Sequence, residues 1–155
     1  MARPVETPPI HAIKELALPV YETRVLPNGM PLFLLQGGSE PVMRMEIVFR
    51  AGASYEHKSG VAEVMAGLLS EGTQHMTSAA LAEKIESLGA TMFTRGGVDT
   101  VRIRLLTLTR YFPDLIEVVH EVIREPAFDP SELKVFAENK VERLRIDLKK
   151  NEVLA

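Results

Sequence analysis

The chain has 155 residues, no cysteine, and a net charge of −3 from 18 basic and 21 acidic side chains. That length predicts one globular domain able to bury its own core, and the missing thiols exclude disulfides and thiolate metal centres. The acidic balance, with no Lys/Arg run, argues against a nucleic-acid partner. No stretch reaches the roughly 18–20 consecutive apolar residues of a membrane span. The N-terminal residues lack the apolar centre of a secretory signal. The expectation is a cytoplasmic chain, or a periplasmic one whose signal has been removed.

Residues 1–20 carry Pro4, Pro8, Pro9 and Pro19, which predicts an extended N-terminal arm with a solvated His11. A single domain is expected over 21–155. Tyr21–Leu26 and Pro31–Gln36 flank Pro27-Asn28-Gly29, and Asn-Gly between apolar runs predicts a hairpin because both residues tolerate positive φ. Val42–Arg50 alternates Met43, Met45, Ile47 and Phe49 with Arg44, Glu46, Val48 and Arg50, the period of a strand with one apolar face. Gly37-Gly38 is a turn, since no lysine and no helix follow as a phosphate loop requires.

Ser59–Thr73 reads as an amphipathic helix of about three turns, capped by Ser59 and ended by Gly72, with Val61, Met65, Leu68 and Leu69 on its apolar side. Glu56 and His57 lie in the loop before it. His57 and Glu63 straddle the helix start and share no helical face, so they are not a ligand pair; His75 has no Glu or His one turn on. A second helix starts at Thr77 or Ser78, packs Leu81, Ile85 and Leu88 inward and stops at Gly89. Ala90–Arg95 and Val98–Leu108 are strands separated by Gly96-Gly97, with Val101, Ile103 and Leu105 on one face and Arg102 and Arg104 on the other. Phe112–Arg124 is a helix with an apolar stripe of Leu115, Val119, Val122 and Ile123, bordered by His120 and stopped by Pro126. Asp129-Pro130-Ser131-Glu132 combines an N-cap, a proline at the first helical position and a glutamate at the third. The helix it opens runs to about Lys150, with Leu133, Phe136, Lys140, Leu144 and Leu148 along one face and Glu138 and Glu142 solvated. The fold class expected is α+β: an antiparallel sheet of about five strands with about four helices packed on one face.

The segment GVAEVMAGLLSEGT, over residues 60–73, resembles the motif helix of the pitrilysin/insulinase metallopeptidases, the inverzincins. That helix opens Gly-hydrophobic-Ala, closes near Gly-Thr and encloses His-x-x-Glu-His, whose histidines bind zinc and whose glutamate activates the bound water. Gly60, Val61, Ala62, Gly72 and Thr73 match the frame, whereas Glu63, Ala66 and Gly67 occupy the three chemical positions. A carboxylate, a methyl and a hydrogen replace two imidazoles and an acid, so no zinc site of this type is expected.

ETRVLPNGMPLFLLQ, VFRAGASYEHKSG and TSAALAEKIESLGATMFTRGGVDTVRIRL look like the family's first hairpin, the strand before the motif helix, and the following helix and strand pair. The ordered match covers residues 20–155. It implies a processing-peptidase-like half-domain that is incomplete at its C-terminus, where relatives continue past Ala155, and a tendency to self-associate through the open face. It places the family's third zinc ligand at or near Arg145. It also implies that Thr91, Met92, Phe93, Thr94 and Arg95 form the edge strand that pairs with substrate backbone in active relatives.

The function implied is a non-catalytic member, not an enzyme by itself and without cofactor, that pairs with a zinc-bearing paralogous subunit to enclose a peptide. The alternatives are a structural scaffold subunit of the same fold, or a zinc peptidase half with a non-standard site.

Overall fold

The computed structural model of the chain describes residues 18–149. They divide into two compact units between Glu40 and Pro41. The expected arm lies outside the described residues over 1–17, including His11, as do residues 150–155.

In the first unit, β1 (Glu22–Val25) pairs antiparallel with β2 (Pro31–Leu34). The hairpin forms where Asn28-Gly29 predicts it, but the two residues share the work differently. Only Gly29 takes a left-handed conformation, at φ +83°. The Asn28 side chain instead accepts the Met30 N–H at 3.1 Å, while the Gly29 N–H donates to the Leu26 carbonyl at 2.8 Å. The result is a three-residue turn that needs one glycine rather than two positive φ angles. Tyr21 meets Phe33 edge-on beside it, ring centroids 5.8 Å apart.

The second unit contains β3 (Val42–Phe49), α1 (Val61–Leu68), α2 (Ser78–Ser87), β4 (Thr91–Gly96), β5 (Val101–Leu108), α3 (Phe112–Arg124) and α4 (Pro130–Asp147). Its sheet runs β3-β5-β4, antiparallel throughout. The α+β class, the five strands and the four helices agree with expectation. The strands, however, form a two-stranded and a three-stranded sheet rather than one.

β5 takes the centre because alternate residues, Val101, Ile103, Leu105 and Thr107, are all buried, which requires partners on both sides and helices beneath. The core joins Ile103 and Leu105 to Leu81 and Ile85 of α2 and to Leu115, Val118, Val119 and Val122 of α3. Val118 thus takes the deep position predicted for Ile123, which packs at the rim. β5 starts three residues later than expected, because the Gly97 N–H donates to the Thr100 carbonyl at 2.8 Å and Val98–Thr100 form the turn.

Helix α1 is also shorter than its pattern suggests. Ser70 N–H bonds to Gly67 O and Glu71 N–H to Leu68 O. These one-residue-tighter turns end the helix before Gly72, which lies at φ +116°. The following loop is held by the buried Thr73. Its hydroxyl donates to Glu121 Oε1 at 2.5 Å and accepts the His75 and Met76 N–H groups at 3.2 and 2.9 Å. Helix α2 is capped by Thr77, whose side chain accepts the Ala80 N–H, and α4 by Asp129, which accepts the Ser131 N–H at 2.7 Å.

The predicted apolar face of α4 is not a core face. Leu133, Leu144 and Leu148 are exposed, and only Phe136 and Lys140 of that row are half-buried. Among the described residues no helix is long and apolar enough to cross a membrane.

Candidate functional site

The start of α1, the middle of α4 and the end of β4 enclose a cleft of about 980 Å³. Helix α1 is not started by Ser59. Its N-cap is Gly60, at φ +92° and without a side-chain cap. Glu56 supplies the acceptor instead: one carboxylate oxygen takes the Gly60 N–H at 2.6 Å and the other the Ala62 N–H at 2.8 Å. A carboxylate reaching back to the first turn satisfies free N–H groups and complements the positive end of the helix. These backbone bonds, the one from Ala62 first, lower the Glu56 pKa below the ordinary glutamate value of 4.5. A lowered carboxylate adds stability above its unfolded pKa and loses it as pH falls through the folded value. Glu56→Gln is therefore expected to lower Tm at pH 7. The gap to the parent protein should narrow as thermal melts are repeated below pH 4.5, and a gap independent of pH would refute the charged cap.

One turn into α1, Glu63 projects towards α4 and meets the Lys140 ammonium at 2.5 Å, with both side chains partly exposed. Ala66 points the other way and is completely buried against Ala62 and Val101. Gly67 faces α4 directly. A Cβ there would lie 2.2 Å from Cε2 of Phe136, so the phenyl ring occupies the space a side chain at 67 needs. The two i,i+4 pairs oppose each other, Glu63 on Lys140 and Gly67 on Phe136.

This set does not fit a zinc ion. One carboxylate is already neutralised by an ammonium, and the other two positions carry no donor. Among the described residues no three His, Cys, Asp or Glu side chains are grouped to hold a metal.

Arg145 is not at this cleft. It pairs with Glu142 at 2.5 Å on an exposed face, while Phe136, Asn139, Lys140 and Arg143 line the cleft. An i,i+3,i+4 series puts those four on one side of α4 and residue 145 on another. His57 and His120 join no ligand group, and exposed His75 meets Glu125 at 2.8 Å.

Of the candidate edge-strand residues, Thr91, Phe93 and Arg95 project to the exposed face of the sheet, and Met92 and Thr94 are half-buried on the helix side. β4 is the last strand of its sheet. Thr94 and Arg95 also border the cleft, so strand end and cleft form one continuous surface. Sequence reasoning missed Phe136 and Lys140 as the partners of the motif positions. Gly67 carried the available signal: glycine inside a helix costs about 1 kcal/mol against alanine, and such a residue often marks a close approach.

Three comparisons bear on this arrangement. A comparison with curated protein sequences yields no match. The fold is similar to the crystal structure of a peptidase M16 inactive domain from Pseudomonas fluorescens, with a TM-score of 0.78 and 20% identity over 84% of this chain and 32% of that one. It is also similar to the crystal structure of a protease from Helicobacter pylori, with a TM-score of 0.66 and 19% identity over 74% of this chain and 28% of that one. The chain thus spans about a third or less of the length of either. Residues 34–154 match the family model described as Insulinase (Peptidase family M16), and with that match over most of its length, the chain belongs to the insulinase family of peptidases.

Proposed function

We propose that the chain is a non-catalytic, zinc-free member of this family, and that it pairs with a zinc-bearing paralogue to complete a peptide-holding chamber. The observation that carries the reading is the occupation of the motif site. Lys140 sits on the one carboxylate left there, and Phe136 fills the space at Gly67. A place where family chemistry would occur is thereby packed with an ion pair and a ring. Alongside it, β4 is an edge strand among the described residues, able to bind an extended peptide by main-chain pairing. The similarity to a domain described as inactive agrees with this reading.

The test is co-purification with a paralogue carrying His-x-x-Glu-His, with zinc content measured on each chain and peptide hydrolysis followed with and without this one. The expected result is zinc in the paralogue alone and faster or tighter peptide turnover when this chain is present. Stoichiometric zinc in this chain, or hydrolysis indifferent to its presence, overturns the reading. A purely scaffolding role draws on a different observation, the exposed Leu133, Val141 and Leu144 of α4 with Leu148 just after it. Assembly with unchanged hydrolysis would favour that role instead.

A further inference from the structure

The exposed face of the three-stranded sheet carries an excess of positive charge. Strand alternation puts Arg44, Glu46 and Val48 of β3, Arg102, Arg104 and Leu106 of β5, and Thr91, Phe93 and Arg95 of β4 on that side. Pairing arranges them in rows: Val48–Arg102–Arg95, Glu46–Arg104–Phe93 and Arg44–Leu106–Thr91. One carboxylate serves three guanidiniums. Glu46 bonds Arg44 at 2.7 Å and lies 3.5 Å from Arg104 and 3.6 Å from Arg102.

That carboxylate is on β3, at the far side from β4. On the near side, Arg95 stands directly opposite Arg102 across the strand pair, and no ion pair reaches Arg95 among the described residues. Arg95, Arg102 and Arg104 line a depression that Asp99 also borders, and the Asp99 carboxylate accepts the Ser54 hydroxyl at 3.0 Å. Like charges directly opposite in a sheet are destabilising, and an incoming anion beside Arg95 relieves that cost.

We infer that the peptide held along β4 is acidic, one of its outward side chains presenting a carboxylate to Arg95 on the exposed face of the sheet. This rests on the peptide-holding reading of β4 and adds the chemical class of the peptide. An extended segment added beside β4 lies about 4.8 Å away and repeats its outward side chains about every 7 Å, so one carboxylate meets Arg95 while its neighbours flank exposed Phe93 and Thr91. Guanidinium takes carboxylate in a forked, charge-assisted contact. The face does not suit nucleic acid as well: it offers Phe93 as its one aromatic platform, and the chain as a whole is acidic.

The experiment uses the full chain and fluorescence anisotropy with three labelled peptides of equal length: a Glu-Thr repeat, a Lys-Thr repeat and an uncharged Ser-Thr repeat. A single-stranded oligonucleotide of matching charge forms a fourth arm. The Glu-Thr peptide is expected to bind about threefold more tightly than the Ser-Thr peptide at low salt, the effect of one exposed charge contact, and the advantage should shrink at high salt. Arg95→Glu is expected to abolish the advantage while leaving Tm unchanged or raised, because it replaces a like-charge pair with an attractive one. Lost binding with an intact melt separates recognition from misfolding.

Equal binding of the three peptides overturns the acidic preference and leaves edge pairing standing. Failure of every peptide to bind overturns both. Tighter binding of the oligonucleotide than of the Glu-Thr peptide overturns the peptide as occupant.

Discussion

Restoring the three motif side chains by Glu63→His, Ala66→Glu and Gly67→His is expected to yield an unstable protein that binds no zinc. Each position fails for its own reason. Ala66 is completely buried beside Val101, and an unpaired carboxylate placed there costs roughly 3–5 kcal/mol, a large part of a small domain's stability. At 67 any Cβ enters the Phe136 ring, 2.2 Å from Cε2. At 63 an imidazole would face the Lys140 ammonium that now meets the Glu63 carboxylate, and that cation opposes a second one nearby.

Differential scanning calorimetry with metal analysis reads both effects, and one equivalent of zinc in the triple variant would refute the account. Gly67→Ala alone isolates the ring. Overpacking is expected to cost about 1–3 kcal/mol, and Phe136→Ala in the same chain should recover part of it. The two changes would then be coupled by about 1 kcal/mol or more in a double-mutant cycle.

Gly96→Ala is expected to be more damaging than Gly67→Ala and to have no second-site remedy. A Cβ at 96 would lie 2.7 Å from the Ala62 carbonyl oxygen and 2.8 Å from Glu63 Cα. These are main-chain atoms of the first turn of α1, so no rotamer change makes room. The end of β4 and the start of α1 would have to separate, with a loss of about 3 kcal/mol or more, at the upper end of what overpacking costs. Gly37→Ala is the matched control, since nothing lies within 4 Å of that position and its φ is ordinary. Its Tm should stay close to the parent's. A Gly96→Ala protein melting with the Gly37→Ala control would show that the strand end does not abut the helix as described.

Where a local pattern decided the structure, it was legible in the sequence. The alternation of Val101, Ile103 and Leu105 with Arg102 and Arg104 reproduces the buried and exposed faces of β5. The Asp129-Pro130 start of α4 falls where capping chemistry puts it, and α3 ends before Pro126 as expected. Where a tertiary partner decided, it was not. Spacing assigns Phe136 and Lys140 to a row with Leu144 and Leu148, but cannot say that only the first two meet α1. Glu56 caps α1 from four residues before Gly60, a reach that depends on the fold of the intervening loop rather than on a fixed motif. The three altered motif positions were visible as residue types, whereas what fills the space between them came from α4, more than sixty residues away in the chain.

The strand order β3-β5-β4 has a consequence for the route by which the chain acquires its structure. β4 and β5 are joined by a short turn, so bringing them together closes a small loop and sacrifices little chain entropy. β3 has to wait for β5, with α1, α2 and β4 all enclosed in the loop between them. The only contact partner of β3 in this sheet is therefore synthesised last of the three strands, and its edge stays unpaired in the nascent chain until Leu108 has emerged.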